Sequence, residues 1–128
     1  MHKVVAHYQS GQVIKGIARD FTPSKERFRL QAEDGQLLDI SLGDLKGLFF
    51  VKNLEGDLGH AKSNLFDLKD MSPGRKIRVE FKDGETLQGI TQGYQPGRAG
   101  FFVVPADRKS NTERAYINTS AAADITFI

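Results

Sequence analysis

Six residues in the last third of a 128-residue chain offer its richest chemistry: Arg98, Phe102, Arg108, Lys109, Arg114 and Tyr116. Single-stranded nucleic acid is held by cations on its phosphates and aromatic rings stacked on its bases, and this mixture supplies both. The plainer expectation is that Phe101 or Phe102 fills a core, since alternate strand residues must, and that the charges form a solvated rim. Catalytic chemistry finds no such grouping. His2, His7 and His60 are scattered over a terminus, a strand and a connector, whereas metal ligands must converge. The carboxylates fall mainly in turns and on exposed strand positions, and no nucleophile, base and orienting group can be assembled from them. Zero cysteines exclude disulfides, thiol catalysis and thiolate metal sites. The expectation is a non-enzymatic chain with no cofactor and no metal.

Two phosphate-binding patterns can be weighed directly. Gly89, Gly93, Gly97 and Gly100 lack a Lys-Ser/Thr ending and lead from strand to strand. No helix N-terminus is then available for a phosphate, and turn geometry explains the glycines. A cyclic-dinucleotide site of the PilZ kind pairs Arg-x3-Arg with Asp/Asn-x-Ser-x2-Gly. Here Lys25 stands where the first Arg belongs and Asp44 where the last Gly belongs, and a lysine cannot reproduce the planar fork of arginine.

The elements that must position the six residues are legible because the chain repeats itself. Residues 3–30 lie over residues 76–103 at a constant offset of 73 without a gap. Lys3/Lys76, Gly11/Gly84, Gly16/Gly89, Ile17/Ile90, Pro23/Pro96 and Phe28/Phe101 are identical, and pairs such as Tyr8/Phe81, Phe21/Tyr94 and Leu30/Val103 are conservative. After a four-residue shift, absorbed in the polar stretch from Pro105 to Thr112, Ile40/Ile117, Leu48/Ile125, Phe50/Phe127 and Val51/Ile128 align as well. The matches are turn glycines and strand apolars, so the duplicated object is a fold.

Period-two alternation over Lys76 to Asp83 turns Ile77, Val79 and Phe81 inward. By the repeat, Val4, Ala6 and Tyr8 do the same, with Val5 and His7 outward. Leu87 and Ile14 are also expected inside. Each strand enters a glycine turn, of which Asp83-Gly84 is the stronger hairpin signal. The next strand carries Gly16 or Gly89 in mid-run, the mark of a bulge, a tight bend or a close backbone approach. Third strands follow at 27–31 and 100–104, fourth at 37–41 and 115–118, and fifth at 47–52 and 124–128, with short helical turns before the fifth. Five short strands with a bend in the second predict a small, curled antiparallel barrel. The expectation is therefore an all-β chain of two tandem five-stranded barrels, 1–52 and 76–128. A connector, 53–75, carries at most a short helix, with Leu65, Phe66, Leu68 and Met71 as one apolar patch. Lobes of about 50 residues bury small cores, so they should pack on each other.

The stretch Ile77-x-Val79-x-Phe81-x-Asp83-Gly84-x-x-Leu87-x-Gly89-x-x-x-Gly93-Tyr94 resembles the first motif of the Sm and Sm-like family of SH3-like barrels. That resemblance implies a five-stranded barrel of a kind that forms rings and binds RNA. The family's Asp after the aromatic is Thr22 or Gln95 here, its base-contacting Asn is absent, and its second motif reads Ile40-Ser41-Leu42 and Ile117-Asn118-Thr119. The tandem arrangement also looks like uncharacterised bacterial domains that carry Val79, Phe81, Asp83-Gly84, Gly89, Thr91, Gly93-Tyr94, Phe101-Phe102 and Pro105-Ala106-Asp107 at this spacing.

Charge restrains the functional reading. Lysine and arginine number 18 against 16 aspartates and glutamates, net +2, with the signs interleaved. No lobe carries the concentrated basic field of a strong, non-specific nucleic-acid binder. No run approaches the ~18 apolar residues of a membrane span and no secretory leader is evident, so a cytoplasmic location is expected. The favoured expectation is an interaction or regulatory adaptor with a protein partner, because duplicated lobes offer two related surfaces. The competing one is a module for RNA or single-stranded DNA.

Overall fold

The computed structural model describes residues 1–56, 63–67, 69–70 and 72–128. His60, Leu68 and Met71 lie outside the described residues. The described chain is all-β, with ten antiparallel strands. The first half contributes β1 (His2–Tyr8), β2 (Val13–Ala18), β3 (Arg27–Ala32), β4 (Leu37–Ser41) and β5 (Leu45–Val51). The second contributes β6 (Arg75–Phe81), β7 (Thr86–Thr91), β8 (Gly100–Pro105), β9 (Thr112–Asn118) and β10 (Ala122–Phe127). Single 3-10 turns, Leu42–Asp44 and Thr119–Ala121, precede β5 and β10. No described helix is long and apolar enough to cross a membrane.

The duplication is visible in the pairing. Strand order is β5-β1-β2-β3-β4 in the first half and β10-β6-β7-β8-β9 in the second. Equivalent residues even share registers: Gly16 pairs with Val4 and Ala32, as Gly89 pairs with Ile77 and Pro105. The expectation of two closed barrels meets a different arrangement. All ten strands form one open sheet, because β5 gives its second edge to β9 of the other half, leaving β4 and β10 as the ends.

Local chemistry explains the hairpins. Tyr8 and Gln12 bracket a three-residue turn closed by bonds of 2.8 Å and 3.0 Å, and Phe81 and Glu85 do the same at 2.8 Å and 2.9 Å. Gly11 and Gly84 stand at φ 97° and 92°, the left-handed position that ends such a turn. Gly16 and Gly89 act differently. Pairing with β1 and β6 runs unbroken through them, so neither marks a bulge, whereas pairing with β3 and β8 has its last pair at the glycine. A Cβ on Gly16 would meet the Gln31 carbonyl and lie 2.6 Å from Leu30; on Gly89 it would meet the Val104 carbonyl and lie 2.5 Å from Val103. The third strand crosses over the second at the glycine, and a methyl group would hold them apart.

Each half has its own core. Val4, Ala6, Phe28, Leu30, Ile40, Leu45, Leu48 and Phe50 cluster in the first, with Tyr8 and Ile14 at its margin. Ile77, Val79, Phe81, Phe101, Val103, Ala115 and Ile117 cluster in the second, with Leu87 at its margin. Val5, expected on the outer face, is buried instead: its cross-strand neighbour Phe49 lies on that face beside the seam and stacks edge-on against His7 at 4.7 Å. The connector patch also differs from expectation. Leu65 is exposed, because the chain there is held by polar bonds: Asn64 donates to Thr86 O at 3.1 Å and accepts from Gln88 N at 2.9 Å, capping the start of β7, which β8 leaves unpaired. Phe66 is half-buried, with the Lys76 ammonium 4.9 Å above its ring.

Candidate functional site

Strand alternation builds the site. On β8 and β9, Phe101, Val103, Ala115 and Ile117 point into the second core, which sends Phe102 and Tyr116 out through the opposite face. That face would be wet if β9 were an edge. Because β9 pairs with β5, the two rings meet the first half's core instead, and Tyr116, 8% exposed, belongs to that core. Phe21 is the hub: its ring lies 5.5 Å from Phe28, 5.7 Å from Phe50, 5.5 Å from Tyr116 and 6.4 Å from Phe102. Phe102 and Tyr116 meet edge-on at 5.1 Å. Such edge contacts add to the area they bury.

A groove of about 620 Å³ opens along this seam. Five of the six residues singled out from sequence line it: Arg98, Phe102, Arg108, Arg114 and Tyr116. Lys109 does not. It lies exposed on the β8–β9 loop, where its backbone N–H bonds the Asp107 carboxylate at 3.0 Å. Both adjacent phenylalanines border the groove, but Phe101 is buried in the second core while Phe102 packs against the first. The Arg114 guanidinium lies 4.4 Å from the Phe50 ring centre and 4.7 Å from that of Phe102, a cation over two π faces. Arg108 is held from the connector side, by Ser72 Oγ at 2.8 Å and the Asp70 carboxylate at 3.3 Å. Hydrogen bonds from Ser72, with the charge of Arg108 behind them, keep the Asp70 carboxyl below its ordinary pKa. Burial raises the Tyr116 phenol above the usual tyrosine value, and nearby Arg98 opposes this only in part, so the hydroxyl stays neutral at physiological pH.

The seam is stapled by polar groups outside the groove. Lys46 on β5, 8% exposed, reaches Asp83 at 2.7 Å and Glu85 at 2.5 Å on the β6–β7 turn, with its ammonium 4.5 Å over Phe81. Asn118 donates to Leu42 O at 3.1 Å and Leu45 O at 2.8 Å, while its own oxygen accepts from Ser120 N at 3.1 Å. Asn111 and Asn53 exchange two bonds at the other end, 3.1 Å and 3.0 Å. A tighter cavity of about 100 Å³ under the connector, lined by Phe49, Asn64, Phe81 and Thr112 among others, holds none of the six residues.

Chemically, the groove offers three guanidinium forks to phosphate or carboxylate oxygens and aromatic edges to a flat ring. Sequence reasoning missed its contributions from the first half, Pro23 in the wall and Phe21 and Phe50 beneath. The signal was present, since Phe21 and Phe50 align with Tyr94 and Phe127. What it lacked was the β5–β9 pairing that folds one half's aromatics under the other's arginines.

No curated protein and no solved structure matches the chain. The model of a family of unknown function, DUF6982, matches residues 1–128, and the chain belongs to that family.

Proposed function

We propose that the chain is a non-enzymatic binding module of two related five-stranded lobes, and that its seam groove holds single-stranded nucleic acid. One observation carries this reading: Arg98, Arg108 and Arg114 surround Phe102 and Tyr116 in one groove of about 620 Å³. The volume falls within the range of ordinary ligand sites. Guanidiniums set around rings match a ligand that alternates phosphates with flat bases. Binding is measured by fluorescence anisotropy of labelled oligonucleotides across a salt series. Release of counterions from three phosphates predicts a log–log slope of about −2. Binding that is undetectable even at low salt removes the nucleic-acid reading.

A protein-adaptor role has its own support in the sheet ends. β4 and β10 each present an unpaired backbone edge, with Leu37 60% exposed on one and Ile128 49% exposed beside the other. An extended peptide could add to such an edge. A pull-down that recovers a protein partner by way of Leu37 or Ile128, but not Arg114, would support this role over the groove.

A further inference from the structure

We infer that the seam groove is the middle of a longer track, so that its ligand is an extended single strand several nucleotides long and not a mononucleotide. This rests on the nucleic-acid reading above and goes beyond it in naming length and path. Two further hollows adjoin the groove. One, of about 400 Å³, shares Pro23 and Tyr116 with it and reaches Lys25 on the first half's β2–β3 loop. The other, of about 360 Å³, shares Arg114 and reaches Lys3 and Lys52. Shared residues set the three hollows side by side, in a line from Lys25 past Tyr116 and Arg114 to Lys52.

Charge along this line differs from that of the chain as a whole. The chain carries net +2, yet the track gathers Lys25, Arg98, Arg108, Arg114, Lys3 and Lys52, against Glu26 and Glu113 in the end hollows and Asp70 on Arg108. Nor are the terminal cations spent on carboxylates. Lys3 Nζ donates to Lys52 O at 3.4 Å and Lys52 Nζ to Arg108 O at 3.2 Å, both neutral carbonyls. Among the described residues, neither Lys25 nor Arg98 forms an ion pair. Cations spaced along a line of adjoining hollows, with rings at its centre, suit a polyanion that crosses from one half to the other. A mononucleotide would use only the centre.

The test uses labelled oligothymidylates from about 3 to about 12 nucleotides, spanning the usual site sizes of single-strand binding folds. Affinity should rise with length and then level off once the track is filled. The salt slope should steepen from about −2 for the shortest strands to about −4 for the longest, as Z grows from roughly 3 to roughly 6. Lys25→Glu and Lys52→Glu, both at exposed positions, should weaken only the long strands, roughly tenfold each. Arg114→Ala should weaken every length. Length-independent affinity with neutral Lys25 and Lys52 variants overturns the track and leaves the central groove standing. Failure of every oligonucleotide to bind overturns the proposed function itself. A polyglutamate peptide that competes as well as an oligonucleotide of equal charge would overturn both, since the rings would then contribute nothing. Thermal melts establish that each variant is folded.

Discussion

The chain contains one aromatic trio twice. In the first half Phe21 sits 5.5 Å from Phe28 and 5.7 Å from Phe50; in the second Tyr94 sits 4.8 Å from Phe101 and 5.8 Å from Phe127. Even the flanking contact is repeated, His2 edge-on to Phe50 at 5.3 Å and Arg75 over Phe127 at 3.7 Å. What differs is the neighbour. The first trio is covered by Phe102 and Tyr116 of the other half, and the groove exists there; the second faces the open β10 edge. Phe102 and Tyr116 form a cross-strand pair, and the equivalent pair in the first half is Arg29 and Asp39. Phe49, which leans on the second core, becomes Thr126. Gly47, where a Cβ would lie 3.1 Å from the Tyr116 carbonyl oxygen, becomes Asp124. One ancestral edge has thus become an apolar seam and its copy a polar rim. Charges on an edge strand are a common defence against unwanted pairing.

Exchanging these characters should produce the largest effect. Tyr116→Asp, which gives the seam the residue of the free edge, removes a buried ring from the first core and leaves a carboxylate among Phe21, Phe28 and Phe50. Truncation of a core aromatic alone costs roughly 3–5 kcal/mol, and the unpaired charge adds to it. Urea unfolding should show at least that loss. A change below ~1 kcal/mol would mean that the seam does not depend on the ring.

Much of this was legible beforehand. The glycine turns, the strand alternation and the duplication were read from spacing alone, because period-two patterns and left-handed glycines are local properties. Five of the six residues singled out by type line the groove. The seam was not legible, because Phe102 and Arg29 occupy the same register and only a non-local pairing decides that one is covered. Val5 departs from the expectation for the same reason: alternation gives its side of the sheet, but Phe49 buries it.

The two kinds of glycine sharpen the comparison at the next scale, since both recur in both halves. Gly89→Val and Gly16→Val force a branched side chain into an adjacent backbone and should each cost roughly 1–3 kcal/mol or more. Gly84→Ala has open space around the new methyl and fails only through its φ of 92°, so its cost should be nearer 1–2 kcal/mol. Differential scanning calorimetry should rank Gly89→Val below Gly84→Ala, and the reverse order would mean that the crossing relaxes more easily than the turn.

The Lys46 staple exists at only one of its two equivalent positions, for its counterpart is Ala123. Burial disfavours the Lys46 ammonium, but hydrogen bonds to Asp83 and Glu85 outweigh this and hold its pKa above the ordinary lysine value. The bond from Lys46, and then the backbone N–H of Glu85, hold Asp83 below the ordinary carboxylate range. A depressed acid stabilises the fold above its unfolded pKa, ~3.9, and loses that contribution as pH falls through its lower folded value. A raised base stabilises below its unfolded pKa, ~10.4, and loses that as pH rises through its folded value. Asp83→Asn with Glu85→Gln should therefore cost roughly 1–2 kcal/mol near neutrality, both carboxylates being half exposed. The gap from wild type should narrow below about pH 4. A gap independent of pH down to acid unfolding would show that the staple works by shape and not by charge.

The smallest effect on folding, and the sharpest test of the comparison, is to make the free edges resemble the seam. Arg29→Phe, Asp39→Tyr, Thr126→Phe and Asp124→Gly copy Phe102, Tyr116, Phe49 and Gly47 onto β3, β4 and β10. The lost contacts are exposed: the ion pairs of Asp39 with Arg27 at 2.8 Å and of Arg29 with Asp20 at 3.6 Å, and the Thr126 hydroxyl's bond to Asp124 at 2.8 Å, all screened by water. Monomer stability should hardly move. Association should change, because β4 of one copy could then pair with β10 of the next as β9 pairs with β5 within the chain. That contact is head-to-tail, so it grows into a ring or an open filament. Sedimentation velocity over a concentration series should show the quadruple variant assembling and the wild type not growing through these edges. If the variant sediments like the wild type, the four differences are incidental to the seam, and the polar residues on β3, β4 and β10 do not act as a barrier.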